Sequence, residues 1–267
     1  MSKKALCIGI NDYPGTQNDL SGCVNDANDW AAALTARGFG VTKLLDAQAT
    51  KAAMVAAMRN LIAGAAKGDT VVITYSGHGT WVPDQNGDEP DGRDEALCPW
   101  DIGSGQVLLD DELGVILQNH VAGVRVLLIS DSCHSGTVSR GDDSDLTPGL
   151  PRARFLPPEV WMKPEDLPPP TPRGLTLPSV SGLSRSGGDL LMAGAKDDQY
   201  SWDTSFKGRP NGAFTYYALK TLASLPAGAS YTDWFKAITP AYLPTNQLPQ
   251  EPQLFGSRTA RAWKVFA

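Results

Sequence analysis

Val124-Arg125-Val126-Leu127-Leu128-Ile129 runs straight into Ser130-Asp131-Ser132-Cys133-His134-Ser135-Gly136, and the change of character at residue 130 decides the fold. The first half has no polar alternation, as expected of a strand covered on both faces. The second half is small and polar, as expected of a loop leaving such a strand. A matching unit lies upstream. Asp69–Tyr75 reads as a β-branched apolar strand, and it leaves through Ser76-Gly77-His78-Gly79. Ala5–Ile10 and Val41–Leu45 read as two further strands. Between these strands the apolar spacing becomes helical. Cys23–Arg37 carries Val24, Ala27, Trp30 and Leu34 before Gly38, and Thr50 is placed to cap a helix through Ala66. Asp111–His120 is a third predicted helix. Downstream, Leu190–Ala195 is a fifth strand, and Ala213–Ser224 and Asp233–Ile238 are helices. Strands alternating with helices predict an α/β domain, with a mostly parallel central sheet and helices on both faces.

Composition sets limits around this reading. With 267 residues, an apolar fraction of 42% and seven tryptophans, the chain can bury a large core without staples. The formal net charge of −6 speaks against a nucleic-acid partner, which usually meets a basic patch. No apolar run approaches the roughly 20 residues of a membrane span. The opening Met1-Ser2-Lys3-Lys4 and the short apolar stretch after it lack the length and cleavage site of a secretory signal. Cys7, Cys23, Cys98 and Cys133 form no C-x-x-C pair and have no zinc spacing. A cytoplasmic protein with reduced thiols and no organic cofactor is expected.

In a parallel sheet, reactive groups gather beyond the carboxyl ends of the strands. Two such ends carry His78 and Cys133. Glycines on both sides of His78 leave room for a ligand, and Cys133 lies among small residues that can expose its sulfur. A thiol needs a nearby base to become a thiolate, and an imidazole is the usual one. Neither residue alone is informative, since a lone cysteine after a buried strand is most often core. His134 and His120 are rivals for the base. His134 adjoins the cysteine, so its side chain diverges from it. His120 sits at a predicted helix end, where a cation favours the dipole.

Tyr75-Ser76-Gly77-His78-Gly79 followed by Asp131-Ser132-Cys133-His134-Ser135-Gly136 resembles the metacaspase branch of the caspase-like cysteine peptidases. Gly9-Ile10-Asn11-Asp12-Tyr13, Leu20-Ser21-Gly22-Cys23-Val24-Asn25-Asp26-Ala27 and Gly194-Ala195-Lys196-Asp197-Asp198-Gln199 fit the same family. The resemblance implies a three-layer caspase-like sandwich. Residues 1–136 would be the large-subunit-like part, 137–188 an insertion or linker, and 189–267 the small-subunit-like part of the same domain. It makes Cys133 the nucleophile and His78 the general base and acid, without a third orienting carboxylate. The backbone N–H groups of Cys133 and Gly79 would form the oxyanion hole. Asp26, Asp131 and Asp198, with Ser76 beside them, would line a pocket for a basic P1 residue. Cleavage of peptides and proteins after Arg or Lys is therefore expected. Classical caspases carry an Arg after the nucleophile, and this chain has His134 there. A second departure is Tyr200-Ser201-Trp202, where the family often has small residues.

The resemblance also implies a calcium ion held by Asp94, Asp110 and Asp111, with Asp142 or Asp143 as the last ligand. Hard oxygen donors suit Ca²⁺, although the register is not that of an EF-hand, and a solvated acidic loop has the same composition. Ten of the chain's twenty prolines fall within residues 148–178, so Thr137–Gly188 reads as an extended or partly disordered excursion. Its Arg140, Arg152, Arg154, Lys163, Arg173 and Arg185 offer sites for self-cleavage; a lid that is never cut is the alternative. A monomer is expected. The competing readings are a catalytically silent caspase-like scaffold and an Asp-specific caspase-like peptidase. A different hydrolase would need its own motif, and the chain has neither a G-x-S-x-G elbow nor a P-loop.

Overall fold

The computed structural model describes residues 1–84, 92–133, 150–167, 189–196 and 199–267. Its centre is a six-stranded sheet. Five strands run parallel: β1 (Lys3–Gly9), β2 (Gly40–Leu45), β3 (Thr70–Ser76), β7 (Arg125–Asp131) and β9 (Leu190–Ala193). An antiparallel edge strand, β12 (Gln253–Gly256), closes one side. Across the sheet the order is β12-β9-β7-β3-β1-β2.

The two-faced burial expected of residues 124–129 is present. Val126 and Leu128 enter one apolar cluster, and Leu127 and Ile129 the other. β3 divides in the same way, with Val71, Ile73 and Tyr75 on one side and Val72 on the opposite side. Alternate side chains of a strand point to opposite faces, so an unbroken apolar run marks a strand sandwiched between helices. On the first face lie α2 (Lys51–Ala63), through Met54, Met58 and Ile62, and α3 (Asp110–Gln118), through Leu113 and Leu117. On the second lie α1 (Cys23–Thr35), α5 (Ala213–Ala223) and α6 (Tyr231–Ile238), through Trp30, Phe214 and Trp234. The Thr50 side chain accepts the Ala53 N–H at 3.2 Å, the expected cap of α2. Among the described residues no helix is long and apolar enough to cross a membrane.

Two small antiparallel sheets escaped the sequence reading. One joins β4 (Gly79–Pro83), β5 (Arg93–Leu97) and β6 (Leu108–Leu109) in that order. The other sets β10 (Trp202–Phe206) between β8 (Arg152–Ala153) and β11 (Arg209–Gly212). The reading of Thr137–Gly188 as an extended excursion therefore needs correction within residues 150–167; the rest of it lies outside the described residues. Residues 150–167 hold β8, the short helix α4 (Pro158–Trp161) and, between them, the buried Arg154 and Leu156. The last short helix, α7, spans Arg258–Arg261.

Candidate active site

β3 and β7 are adjacent and parallel, and their register places Ser76 opposite Asp131. His78 and Cys133 each lie two residues past those positions, so the topology brings them to the same end of neighbouring strands. The His78 loop is held from both sides. Tyr13 Oη accepts the His78 backbone N–H at 2.7 Å, and Tyr75 Oη donates to the His78 carbonyl at 2.6 Å. A side chain at Gly77 would come within 2.6 Å of both phenol oxygens, which explains the glycine. The imidazole Nε2 lies 2.6 Å from the Asn18 carbonyl oxygen. A carbonyl can only accept, so Nε2 carries the proton and Nδ1 of the neutral ring keeps its lone pair. Nδ1 is buried and has no hydrogen-bond partner among the described residues.

The sulfur is engaged elsewhere. Cys133 Sγ donates to the Ser201 carbonyl at 3.3 Å and accepts the Ser201 N–H. Both groups are 2% exposed. Burial pushes the thiol up to about 12 and the imidazole down to about 4, so both are neutral in this state.

Residues 152–156 of the same chain lie across this end of the sheet. β8 pairs antiparallel with β10, Ala153 opposite Trp202 and Arg152 opposite Asp203. The next residue, Arg154, donates its N–H to the Ser201 carbonyl at 2.9 Å. Its own carbonyl oxygen receives two N–H groups, from Gly79 at 2.9 Å and Cys133 at 3.2 Å. These are the two donors expected to hold an oxyanion.

The Arg154 side chain is 0% exposed. Its Nη2 contacts Asp26 Oδ2 at 2.7 Å and Asp203 Oδ1 at 2.9 Å, and its Nη1 contacts Asp131 Oδ2 at 3.2 Å. Nη1 also donates to the Asp131 carbonyl at 3.0 Å. Burial opposes the guanidinium charge, but the surrounding acidic groups prevail and raise its pKa further. Burial pushes the Asp26 carboxyl up to about 7; the Arg154 charge pulls the other way, and the Asp131 charge adds to the rise. Each carboxylate is fixed from behind. Asp26 accepts the Gly212 N–H at 3.0 Å and the Asn211 side chain at 2.8 Å. Asp131 accepts the Thr215 hydroxyl at 2.7 Å and the Ser201 hydroxyl. Asp203 accepts the Ser21 and Gly22 N–H groups at 2.8 and 3.0 Å. The pocket passes directly against Gly212, where a Cβ would meet Arg154 Nη1 at 2.5 Å.

Asp26 and Asp131, proposed from the sequence, thus share one pocket. Ser76 is buried beside Asp131 in the ladder, and its carbonyl accepts the Ile10 N–H at 3.0 Å. Asp198, Asp142, Asp143 and the rival base His134 lie outside the described residues. The other rival, His120, is on the far side of the sheet from Cys133 along the chain direction, its Nε2 3.8 Å from Asp189. The sequence reading missed Asp203 and the role of Arg154. Only the alternation Trp202-Asp203-Thr204 hinted that Asp203 stands on a strand. Of the expected calcium ligands, Asp94 is on β5, and Asp110 and Asp111 begin α3 directly after β6, the partner of β5. Asp94 and Asp110 are buried. Among the described residues no group of three His, Cys, Asp or Glu side chains is placed to hold a metal ion.

Residues 3–140 match the family model described as metacaspase, peptidase C14 domain. The chain belongs to the metacaspase family. Metacaspase-1 of Cryptococcus neoformans is 32% identical over 288 aligned positions, covering 96% of this chain and 62% of the relative, so the chain spans about three fifths of that metacaspase's length. A crystal structure of a Geobacter sulfurreducens protein matches all of this chain and 99% of the other, with a TM-score of 0.74 and 32% identity. Caspase-1 from Spodoptera frugiperda matches 96% of this chain and 85% of its own, with a TM-score of 0.54 and 13% identity. That last likeness is one of fold, and it agrees with a caspase-like α/β sandwich. Metacaspases are cysteine-type peptidases, and both strand-end motifs of this chain lie within the matched residues.

Proposed function

We propose that this chain is a cysteine endopeptidase that cuts after Arg or Lys through Cys133 and His78, and that its own Arg154–Phe155 bond is its first substrate. One observation carries the reading: Arg154 sits as a bound P1 residue would, its guanidinium among three carboxylates and its carbonyl oxygen on two backbone N–H groups. Three fixed acceptors around a planar cation are specific for a basic side chain. All the groups named come from one chain, so a monomer suffices.

In the reaction, Cys133 Sγ attacks the P1 carbonyl carbon and His78 Nδ1 takes the thiol proton. The Asn18 carbonyl steadies the imidazolium through Nε2. The carbonyl oxygen gains the negative charge, held by the Gly79 and Cys133 N–H groups, an effect worth about 3–4 kcal/mol for one donor. The C–N bond breaks, and His78 returns the proton to the leaving amine. Water, deprotonated by His78, then hydrolyses the thioester and frees the P1 carboxylate. The quiet state with a neutral thiol turned to Ser201 must give way first, which needs water or motion around residues 152–156.

Calcium activation is part of the proposal. Asp94, Asp110 and Asp111 come from one end of the β4–β5–β6 sheet but are not gathered into a site on their own; they would have to be drawn together around the ion, with Asp142 or Asp143 completing the set. The ion would neutralise acidic charge there.

Intact-mass spectrometry of the wild type and of Cys133→Ala, each incubated with calcium chloride, tests the reading. Fragments 1–154 and 155–267 are expected from the wild type alone. An unfragmented wild type that nevertheless hydrolyses an Arg-aminocoumarin would make residues 152–156 a lid rather than a substrate. No hydrolysis of that substrate, with or without calcium, would remove the peptidase reading.

A further inference from the structure

We propose that the cleft also reads the leaving side of the scissile bond, with an aromatic subsite for P1′ on Tyr200 and a closed apolar subsite for P2′. The inference rests on the peptidase reading above and extends it to the substrate class: peptides with Arg followed by an aromatic and then an aliphatic residue.

The main chain stays bonded past Arg154. Phe155 forms a parallel bridge with Gly79, and the Leu156 N–H donates to the Gly79 carbonyl at 2.9 Å. Gly79 thus grips both halves of the bond, by its N–H before the cut and by its carbonyl after it. Alternation along the extended segment follows. Arg154 and Leu156 are each 0% exposed, whereas Phe155 between them is half-buried. Leu156 enters the apolar cluster under the sheet that includes Leu97, Ile102 and Leu108. Beyond it, α4 turns back onto the β4 sheet, and Trp161 Nε1 donates to the buried Thr80 hydroxyl at 3.2 Å.

The Phe155 ring faces a platform. Its centroid is 6.1 Å from that of Tyr200 at 35°, and Tyr200 lies 5.8 Å from Trp202, nearly edge-on at 80°. Such separations are those of favourable ring pairs. Ser201 meets the nucleophile, and the two aromatics flank it, Tyr200 on the leaving side and Trp202 opposite Ala153.

The test uses the full chain in calcium chloride with two quenched-fluorescence octapeptides. Both begin Pro-Arg-Ala-Arg; one continues Phe-Leu-Pro-Pro and the other Gly-Gly-Pro-Pro. An Arg-aminocoumarin, which has no leaving peptide, is run in parallel. Expected is a kcat/KM for the Phe-Leu peptide at least about 10-fold above that for Gly-Gly, the factor that burying one leucine supplies. Gly-Leu and Phe-Gly peptides should divide that factor, with leucine carrying the larger share. Tyr200→Leu should narrow the advantage of Phe-Gly over Gly-Gly, which is about 2- to 10-fold for one ring pair. Equal rates within twofold on the two octapeptides, with the aminocoumarin hydrolysed, would overturn the subsites and leave the peptidase reading standing. An inert aminocoumarin would remove both.

Discussion

Replacing Arg154 by Gln tests how the cleft is held shut. The guanidinium makes four polar contacts, two from Nη1 to Asp131 and one from Nη2 to each of Asp26 and Asp203, at 2.7–3.2 Å. Gln cannot supply the charge, so three carboxylates would face one another in a dry pocket. Removing one partner of a buried ion pair costs about 3–5 kcal/mol. Residues 152–156 can escape that cost by leaving the cleft and letting water in, which the rest of the sheet cannot do. The penalty therefore falls on the closed arrangement. At about 1.4 kcal/mol per factor of ten, opening becomes on the order of 100- to 4000-fold more populated. Hydrogen exchange at the amides of Arg154 and Leu156, which bond to Ser201 and Gly79, reads this directly. In a Cys133→Ala background, which prevents cutting, their protection should fall by that factor when residue 154 becomes Gln. In the active background the 1–154 fragment should vanish. Unchanged exchange at these two amides, or an unchanged cut after residue 154 in Arg154→Gln, would refute the argument.

Asp203→Asn removes one charge-assisted contact to the P1 cation, so kcat/KM on an Arg-aminocoumarin should drop roughly 10- to 100-fold; equal rates would exclude Asp203 from recognition. A pH series addresses His78. Its pKa is lowered from 6.5 to about 4 by burial, so the unfolded chain binds a proton between those values that the folded chain refuses. Stability is then full above pH 6.5 and falls as pH drops toward 4, by at most about 3 kcal/mol. Denaturant midpoints of wild type and His78→Gln should converge as the pH is lowered through this window, and parallel curves would contradict it. Chelation by EDTA should lower both peptidase rate and thermal midpoint, and no change in either would dispose of the calcium site at Asp94, Asp110 and Asp111.

The long apolar strands were legible because burial on two faces leaves a run that needs no alternation to be recognised. β3 and β7 announced themselves, and with them the placing of His78 and Cys133 at the same end of neighbouring strands. The small sheets did not. Arg93-Asp94-Glu95-Ala96-Leu97 is mostly charged, and Arg209-Pro210-Asn211-Gly212 reads as a turn; each is a strand because a partner lies beside it. Prolines misled in a different way. Pro151 and Pro157 bracket the short extended piece that enters the cleft, where their missing N–H groups suit its ends, yet in the sequence they merged with a proline-rich stretch. Asp26 and Asp131 were found through motifs they share with the family. Asp203 belongs to no such motif, and its position opposite Arg152 exists only after β8 has paired with β10.

The central-sheet strands on either side of the Arg154–Phe155 bond in the chain, β7 before it and β9 after it, are hydrogen-bonded neighbours. A nick there would sever the polypeptide without dividing the particle. The two fragments would elute together on gel filtration and part only in detergent, so maturation would be invisible to any method that measures size in the native state.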